Sequence, residues 1–379
     1  MRLKYARIIL SVLNSQEDVT IDKNAELYYK SSLDLFLPAE QIDDIDGFAL
    51  KLGKKTYYFR GGETPFNDSC SANIALNKYC MNKILESQGL PVPKAIAIHC
   101  SEFEEGGVEE KIAELKFPLV AKPTRNGSRG RDVLCNIQTI EQLKNYLSHA
   151  FTLYEFITIE EFHANLNSYR VLVFKRQVIG VIQRYPAQVV GDGKQTLAQL
   201  VQSTNLQRAK LNDALGNIVI DEECHIKLKE LKLDIDYIPQ QDEQVFLAYT
   251  SNATRGGTFK SLGKKICKQN SCLMIRAAQA LNLNIVGIDV ECEDISIPIE
   301  ASRGVIIEMN NCPSIKIHEI PMSGPPNRVS KKIMRSFIYR HPLSYLAMLY
   351  TNKRANFYIR GFVLAIFLGF ILSYLYNLT

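Results

Sequence analysis

The sequence predicts an α+β chain that ends in an apolar helix. Short β-branched runs alternate with helical patterns up to about residue 320, which is typical of a mixed α+β architecture. Two of these runs, 285–288 and 305–307, lead into acidic side chains, and residues 361–378 carry no charge. With 379 residues, the chain is long enough for large cores and for more than one small domain.

The two β-branched runs predict adjacent strands that form a metal site. Asp289 follows the first run and Glu308 follows the second. Side chains alternate along a strand, so Glu308 and Asn310 share one face, and Asp289 joins them if the strands pair in register. Two carboxylates and an amide oxygen suit Mg²⁺ or Mn²⁺. Taken alone, the stretch also fits ordinary solvated strand ends, because most carboxylates stay exposed.

A phosphate-binding loop is predicted after the apolar strand 117–123. Lys122 lies near the end of this strand, and residues 124–131 are rich in glycine, hydroxyl and arginine side chains. Backbone N–H groups and arginines of such a loop bind phosphates. The lysine precedes the glycines, so this is not a Walker loop. A plain basic turn is the alternative.

The remaining elements follow from periodicity and from helix-stop signals. We predict one helix from residue 71 to Gly89, with Lys78 near its apolar face and prolines after its end. Further strands are predicted at 54–59, 95–98, 156–162, 169–174 and 178–184, and further helices at 138–149 and 268–281. A second glycine-rich loop covers residues 252–258.

The carboxyl-terminal segment predicts attachment to a membrane. The net charge is +5, yet no Asp or Glu follows Glu319, whereas eight Lys and Arg do. A basic tail points to nucleic acid or to a membrane. The uncharged residues 361–378 reach about 27 Å as a helix, enough to span a thin bilayer. The basic flank then places the preceding domain in the cytoplasm. A buried carboxyl-terminal helix is the alternative.

The cysteines predict reduced, mostly buried thiols in a cytosolic domain. They form no CxxC pair, so we expect no zinc site. The amino terminus lacks a long apolar region and a cleavage site, so we expect no signal peptide. The nine cysteines are at positions 70, 80, 100, 135, 224, 267, 272, 292 and 312.

Five stretches, taken in order, resemble the ATP-grasp ligases, most closely the ATP-grasp part of cyanophycin synthetase and related amino-acid ligases. The resemblance implies a fold in which two α+β subdomains grip ATP. It also implies that a substrate carboxylate attacks the γ-phosphate of ATP and that an amine captures the acyl phosphate, giving an amide, ADP and phosphate. The stretches are FRGGETPFN with IALNKYCMNKILESQGLPVP (59–93), FPLVAKPTRNGSRGRDV (117–133), RVLVFKRQVIGVIQRYPAQVVGDG (170–193), NATRGGT (252–258), and GIDVECEDISIPIE with VIIEMNNCPSIKIH (287–318).

The same resemblance implies roles for individual residues, with ATP and Mg²⁺ (or Mn²⁺) as cofactors. The phosphate ligands and the loop that closes over them are Lys78, Lys122, Gly127, Ser128, Gly130 and Arg131. The residues beside the adenine are Glu160, Glu161 and Phe162. The metal ligands are Asp289, Glu308 and Asn310. The carboxylate and acyl-phosphate side is lined by Arg170, Arg184, Arg255 and Gly257. His318 either lies near the substrate or is a packed histidine.

The chain departs from the family pattern at several points. The loop after Lys122 has one extra residue, and Asp132 stands where glycine is usual. Ser168 occupies the place where an acid often holds the ribose. Arg255 replaces a small hydroxyl residue. Cyanophycin synthetase continues into a Mur-ligase-like half whereas this chain ends, so we do not expect a full two-step polymer cycle.

The expected function is a membrane-tethered, ATP-dependent carboxylate–amine ligase that acts on an amino acid or a short peptide. A catalytically inactive ATP-binding scaffold or regulator is the alternative. We expect no nucleic-acid partner, because the apolar run follows the basic tail directly. A homo-oligomer is expected only by analogy with relatives. The expected domains are an α/β lead-in (1–70), the ATP-grasp domain (71–320), a basic juxtamembrane linker (321–356) and a transmembrane helix (357–378).

Overall fold

Fourteen strands form four antiparallel sheets in the computed structural model, which describes residues 21–127, 132–211 and 215–376. The sheet orders are β1-β2-β3, β4-β7-β5-β6, β12-β9-β8-β13-β14 and β10-β11. The strands are β1 (Ala39–Ile42), β2 (Gly47–Leu52), β3 (Lys55–Arg60), β4 (Ala95–His99), β5 (Leu119–Pro123), β6 (Leu134–Ile137), β7 (Phe156–Glu161), β8 (Asn167–Phe174), β9 (Gln177–Tyr185), β10 (Gln188–Val190), β11 (Gln244–Phe246), β12 (Thr258–Gly263), β13 (Ile285–Cys292) and β14 (Gly304–Asn310).

The α-helices of the described residues pack on these sheets or follow them. They are α1 (Lys23–Asp34), α2 (Ser69–Leu76), α3 (Lys78–Ser87), α4 (Cys100–Glu104), α5 (Val108–Ile112), α6 (Ile140–Ala150), α7 (Leu197–Leu211), α8 (Glu222–Glu230), α9 (Lys268–Ala280), α10 (Lys316–Glu319), α11 (Val329–Arg340), α12 (Pro342–Thr351) and α13 (Lys353–Tyr376). Short 3-10 turns cover Asp43–Ile45, Ala253–Arg255 and Ile299–Ala301.

The chain divides into two units, and the first combines Met1–Pro65 with Arg328–Thr379. In its described part, the rings of Phe48 and Phe59 stack with centroids 4.6 Å apart. Phe337 of α11 packs edge-on against Phe59, with centroids 5.9 Å apart. The amino-terminal strands therefore share an aromatic core with α11, a helix that the sequence analysis assigned to a linker. The domain boundaries given above stay a prediction.

The second unit, Phe66–Asn327, holds the two larger sheets. The five-stranded sheet packs against α3 and α9 through buried apolar side chains such as Leu85, Met274 and Ile288. The four-stranded sheet packs against α5 and α6 through a separate core that includes Leu143 and Leu147. Two sheets, each covered by its own helices, give the mixed α+β architecture that the periodicity predicts.

A smaller layer, β10-β11 with α7 and α8, precedes the glycine-rich loop at 252–258. Arg208 on α7 is buried, and its guanidinium donates to the carbonyl oxygens of Gly216 at 2.8 Å and Gly257 at 2.9 Å. The guanidinium also donates to the Ala253 carbonyl at 3.3 Å, so the bonds to Ala253 and Gly257 tie the loop to α7. The sequence did not indicate a role for Arg208, because it donates to three backbone carbonyl groups, which any residue can supply.

One predicted helix is wrong, because residues 69–87 form two helices that break at Asn77. Asn77 has an extended backbone (φ −95°, ψ 103°), and its side chain accepts from the backbone N–H of Cys80 at 2.9 Å. This is an N-cap bond, which starts a new helix. The Lys78 N–H is thereby free to donate to the Thr124 carbonyl at 3.0 Å. The strands and helices predicted between residues 95 and 281 are otherwise confirmed within two residues at each end.

The carboxyl-terminal helix α13 is apolar and exposed. Residues Lys353–Ser373 have a mean hydropathy of 1.9, and 6% of that window is buried within the chain. In length and composition, this helix is sufficient to cross a bilayer. Helix α12 before it has no buried residue, and Leu343 and Tyr350 are 81% and 82% exposed.

Candidate active site

A cavity of about 1110 Å³ lies in the second unit and is lined by both larger sheets. Lys122 on β5 and Glu160 on β7 come from the four-stranded sheet, and Asp289 on β13 and Glu308 on β14 come from the five-stranded sheet. These charged side chains lie on strands whose other positions fill the apolar cores. The alternation of side chains along each strand therefore delivers the charges to the cavity.

Lys122 and Glu160 form a buried ion pair on the cavity wall. The Lys122 ammonium is 2.7 Å from Glu160 Oε2, and the residues are 7% and 3% exposed. The second carboxylate oxygen, Oε1, has no hydrogen-bond partner among the described residues. A buried charge requires such a partner. Glu160 therefore holds Lys122 in the cavity and retains one acceptor atom.

Lys78, at the start of α3, brings a second buried ammonium to the same cavity. Its Nζ is 3.7 Å from Glu308 Oε1 and donates to the Gly127 carbonyl at 3.4 Å. Burial lowers the pKa of Lys78, the Glu308 carboxylate opposes that shift, and the positive charge of Lys122 adds to it. Two ammonium groups that repel each other in one cavity make a favourable place for a polyanion.

Asp289 is paired with two arginines from neighbouring strands. Arg170 on β8 donates to both carboxylate oxygens, and Arg184 Nη2 on β9 lies 3.2 Å from Oδ2. Burial alone raises the pKa of Asp289, but the two guanidinium groups hold it below its usual value. Arg170 lies directly opposite Asp289 in the strand register. Asp289 was predicted as a metal ligand, and Arg170 and Arg184 were predicted on the carboxylate side. In the structure these three residues form one ionic cluster.

The three predicted metal ligands also lie together. Asp289 faces Glu308 across the β13–β14 pair, and Asn310 Nδ2 is 3.5 Å from Asp289 Oδ2. Among the described residues, no group of three or more His, Cys, Asp or Glu side chains is arranged to bind a metal. The predicted ligands would offer two carboxylates and one amide oxygen. That set fits Mg²⁺, which takes few protein ligands and completes its shell with water and phosphate oxygens.

The residues predicted beside the adenine line the same cavity. Glu161 Oε1 accepts from the Lys116 N–H at 3.0 Å, and the Phe162 ring packs edge-on against Tyr249, with centroids 5.5 Å apart. Gly127 also lines the cavity. Ser128, Gly130 and Arg131, predicted for the phosphate loop, lie outside the described residues.

Arg255 and Gly257 do not line the cavity in the part of the chain that the structure describes. The Arg255 guanidinium binds the carboxylate of Asp221 and is 3.9 Å from that of Glu223. The Gly257 N–H donates to the Asn252 carbonyl at 2.9 Å. Both residues therefore make contacts that stabilise the loop, and their predicted place on the carboxylate side stays a prediction. The sequence offers one sign of this pairing, because Asp221, which binds Arg255, is also the residue that caps α8.

His318 has the packed arrangement rather than a place on the cavity wall. It is 1% exposed, and neither ring nitrogen has a hydrogen-bond partner among the described residues. A Cβ added at Gly180 would meet its Nδ1 at 2.5 Å, so the ring lies directly against that glycine. Burial lowers the pKa of His318 to about 3, and the nearby charge of Arg170 adds to the effect. The imidazole is therefore neutral.

Sequence reasoning did not assign Glu291, which also lines the cavity. It lies two residues after Asp289 on β13 and directly opposite Ser168 on β8. Burial raises the pKa of the Glu291 carboxyl to about 7, while Arg184 and a hydrogen bond from Ser168 act in the other direction. The sequence could have indicated Glu291, because side chains two residues apart on a strand lie on the same face and Glu291 is two residues after Asp289.

Comparisons with known proteins show what the fold of this chain is similar to. The family described as the D-ala D-ala ligase C-terminus matches residues 84–271. The crystal structure of a bifunctional glutathione synthetase from Pasteurella multocida shares the fold, with a TM-score of 0.58 and 23% identity over 85% of this chain and 44% of that chain. The chain has the ATP-grasp fold and is similar to ligases of the ATP-grasp superfamily.

Within that superfamily, the chain is similar to two kinds of curated protein. It is 31% identical over 268 residues to cyanophycin synthetase from Synechocystis sp., which is 69% of this chain and 30% of that protein. It is 27% identical over 305 residues to the glutathione biosynthesis bifunctional protein GshAB of Pasteurella multocida, which is 78% of this chain and 40% of that protein. The chain thus spans less than half the length of these relatives.

Proposed function

We propose that this chain is an ATP-dependent carboxylate–amine ligase that acts on an amino acid or a short peptide and is attached to a membrane. The observation that supports this most directly is the meeting of two buried lysines with Asp289 and Glu308 in one cavity. Phosphoryl transfer requires positioning and charge neutralisation rather than a protein nucleophile. The cavity offers these two features.

Lys122 and Lys78 bind the ATP phosphates in this proposal. Glu160 orients the Lys122 ammonium, and Glu308 lies near that of Lys78. The loop that begins after Thr124, with Gly127, Ser128, Gly130 and Arg131, covers the phosphates. The protein thereby neutralises the charge of the group in transfer and excludes water from the acyl phosphate, which water would hydrolyse.

Asp289, Glu308 and Asn310 would hold the Mg²⁺ or Mn²⁺ ion, which when bound neutralises phosphate charge and orients the nucleotide. Arg170 and Arg184 bind oxygens of the substrate carboxylate and of the acyl phosphate. Arg184 Nε is buried and has no hydrogen-bond partner among the described residues, so a substrate oxygen would satisfy it.

A catalytically inactive ATP-binding scaffold or regulator is the second candidate. It is favoured by the ion pairs of Asp289, whose carboxylate oxygens both accept from arginines. If those pairs persist with nucleotide bound, the carboxylate has less capacity for a metal. ATP turnover separates the two candidates.

The first prediction concerns ADP release. The full chain in detergent, with ATP and Mg²⁺, is supplied with pools of amino acids and dipeptides. We expect ADP and phosphate only with certain pools, and we expect Glu308→Gln to lower the rate about 100-fold or more, because several kcal/mol of charge stabilisation is lost. Glu293→Gln is the matched control: Glu293 follows the same strand β13, is exposed, pairs with Arg303 and does not line the cavity.

Each outcome of this assay decides between the candidates. Pool-dependent ADP release that Glu308→Gln abolishes supports the ligase and begins to identify its substrate. Binding of ATP without ADP release in any pool favours the scaffold. A chain that does not bind ATP at all contradicts both candidates.

The second prediction concerns the carboxyl-terminal helix. We expect the full chain to sediment with membranes and to resist extraction by alkaline carbonate, because α13 buries its apolar side chains in the bilayer. A chain that ends at Arg360 keeps the buried Ala355 and should become soluble. Release of the full chain by carbonate would instead indicate a helix that packs on protein.

The orientation of the chain can be tested in the same cells. If the ligase unit is in the cytoplasm, protease added outside intact cells should leave that unit uncut.

A further inference from the structure

Glu291 is a carboxylate in the cavity that has a defined position and no assigned task. Glu291 lies directly opposite Ser168 in the strand register, and Arg184 Nη2 donates to Ser168 Oγ at 3.2 Å. Ser168 itself is 4% exposed. No lysine or arginine forms a salt bridge with Glu291 among the described residues. The carboxylate therefore has acceptor capacity for a ligand in the cavity that it lines.

The position of Glu291 along β13 indicates what it faces. Strands β13 and β8 are antiparallel, and Glu291 is displaced from Asp289 toward the start of β8. Two residues along a strand correspond to about 7 Å. The segment 162–167, which lines the cavity, leads directly into the start of β8. Glu291 therefore lies between the proposed metal ligands and the segment that follows Glu160, Glu161 and Phe162, the residues proposed to lie beside the base.

A nucleotide bound in this orientation places its sugar between those two regions. Vicinal hydroxyl groups are donors, and a carboxylate accepts from them, as acidic residues do for ribose in dinucleotide-binding folds. Ser168 on β8 is shorter than an acidic side chain, and its hydroxyl oxygen already accepts from Arg184 Nη2 at 3.2 Å. The acceptor for the sugar must then come from the facing strand.

We propose that Glu291 binds the ribose hydroxyl groups of the nucleotide, so that the acid at this point of the cavity is supplied by β13 instead of β8. This inference rests on the proposed nucleotide site. Ser168, which lies opposite Glu291 on β8, is in this inference its neighbour and not the ribose ligand. It also makes Glu291 a determinant of ribonucleotide specificity rather than a group that takes part in bond formation.

The test measures nucleotide affinity and needs no knowledge of the amine or carboxylate substrate. The dissociation constants of ADP, 2′-deoxy-ADP and 3′-deoxy-ADP are measured with Mg²⁺ for the full chain in detergent. The wild-type chain should bind at least one deoxynucleotide about tenfold or more weakly than ADP, because a hydrogen bond to a charged group is lost. Glu291→Val, which suits a strand, should remove that difference by weakening ADP alone. Glu293→Gln is the control.

A relocated acid provides the stronger arm of the experiment. In Ser168→Asp combined with Glu291→Val, the carboxylate moves to the facing strand and discrimination against the deoxynucleotide should return. Retained discrimination in Glu291→Val, or equal affinities for all three nucleotides in the wild type, would overturn the inference and leave the nucleotide site intact. A wild-type chain that binds none of them would overturn the nucleotide site as well. Thermal unfolding of each variant verifies that it is folded.

Discussion

Replacing Lys122 with methionine should abolish ATP turnover and destabilise the second unit by about 3–5 kcal/mol, the usual cost of removing one partner of a buried ion pair. The variant leaves the Glu160 carboxylate, 3% exposed, without the ammonium that lies 2.7 Å from it. Its second oxygen already lacks a hydrogen-bond partner among the described residues, so the variant removes the salt bridge that the carboxylate makes there. Urea unfolding measures the first effect, and ADP release measures the second.

A double variant separates stability from catalysis at this pair. Lys122→Met combined with Glu160→Leu replaces the ions with apolar side chains, which is often neutral for stability. We expect the double variant to recover most of the lost unfolding free energy while ATP turnover stays absent. Wild-type turnover in the double variant would show that Lys122 does not contact the phosphates. Failure to recover stability would show instead that the apolar pair does not fit the space.

Asp289→Asn should have the second large effect, and it should act on both stability and function. The isosteric amide removes the carboxylate that pairs directly with Arg170 and Arg184, so both buried guanidinium groups lose their salt bridge. We expect a loss of about 3–5 kcal/mol in the free energy of unfolding and no measurable ADP release. Glu308→Gln is the comparison, because the Glu308 side chain is 35% exposed and should cost little stability.

A binding measurement distinguishes the metal role of Asp289 from its structural role. Mg²⁺ should tighten ADP binding to the wild-type chain, and this gain should be lost in both Asp289→Asn and Glu308→Gln. If Asp289→Asn destabilises the chain yet keeps the full Mg²⁺ effect, Asp289 serves only to hold the arginines. The ligand set would then have to be revised toward Glu308 and Asn310.

Local patterns predicted most strands and helices, because their apolar spacing reflects burial on one face. The pairing of β13 with β14 was also accessible, since Asp289 and Glu308 each follow a β-branched run. The break at Asn77 was missed, because the residues on both sides of it continue the same helical spacing. The break is favoured by two contacts that the spacing does not reveal. The Asn77 side chain caps the second helix, and the Lys78 N–H donates to the Thr124 carbonyl.

The ionic contacts of the site depend on register between distant strands. Arg170 and Asp289 are 119 positions apart, and only the β8–β13 pairing brings them opposite each other. Arg255 shows the same dependence on distant contacts. The resemblance implies a place on the carboxylate side of the site, which stays a prediction, and in the structure its guanidinium binds Asp221, the cap of α8. Sequence motifs show which charged side chains are available for a site, whereas the pairing of distant strands decides which of them come into contact.

The bond between Lys78 and Thr124 has a mechanical consequence. Thr124 is held from three directions: its carbonyl by the Lys78 N–H, its N–H by the Phe156 carbonyl at 3.1 Å, and its hydroxyl by that of Thr158 at 2.8 Å. The chain is therefore clamped at the residue where the glycine-rich loop begins. The three bonds therefore fix the end of β5, and with it Lys122 two residues earlier, by contacts that lie outside the glycine-rich loop.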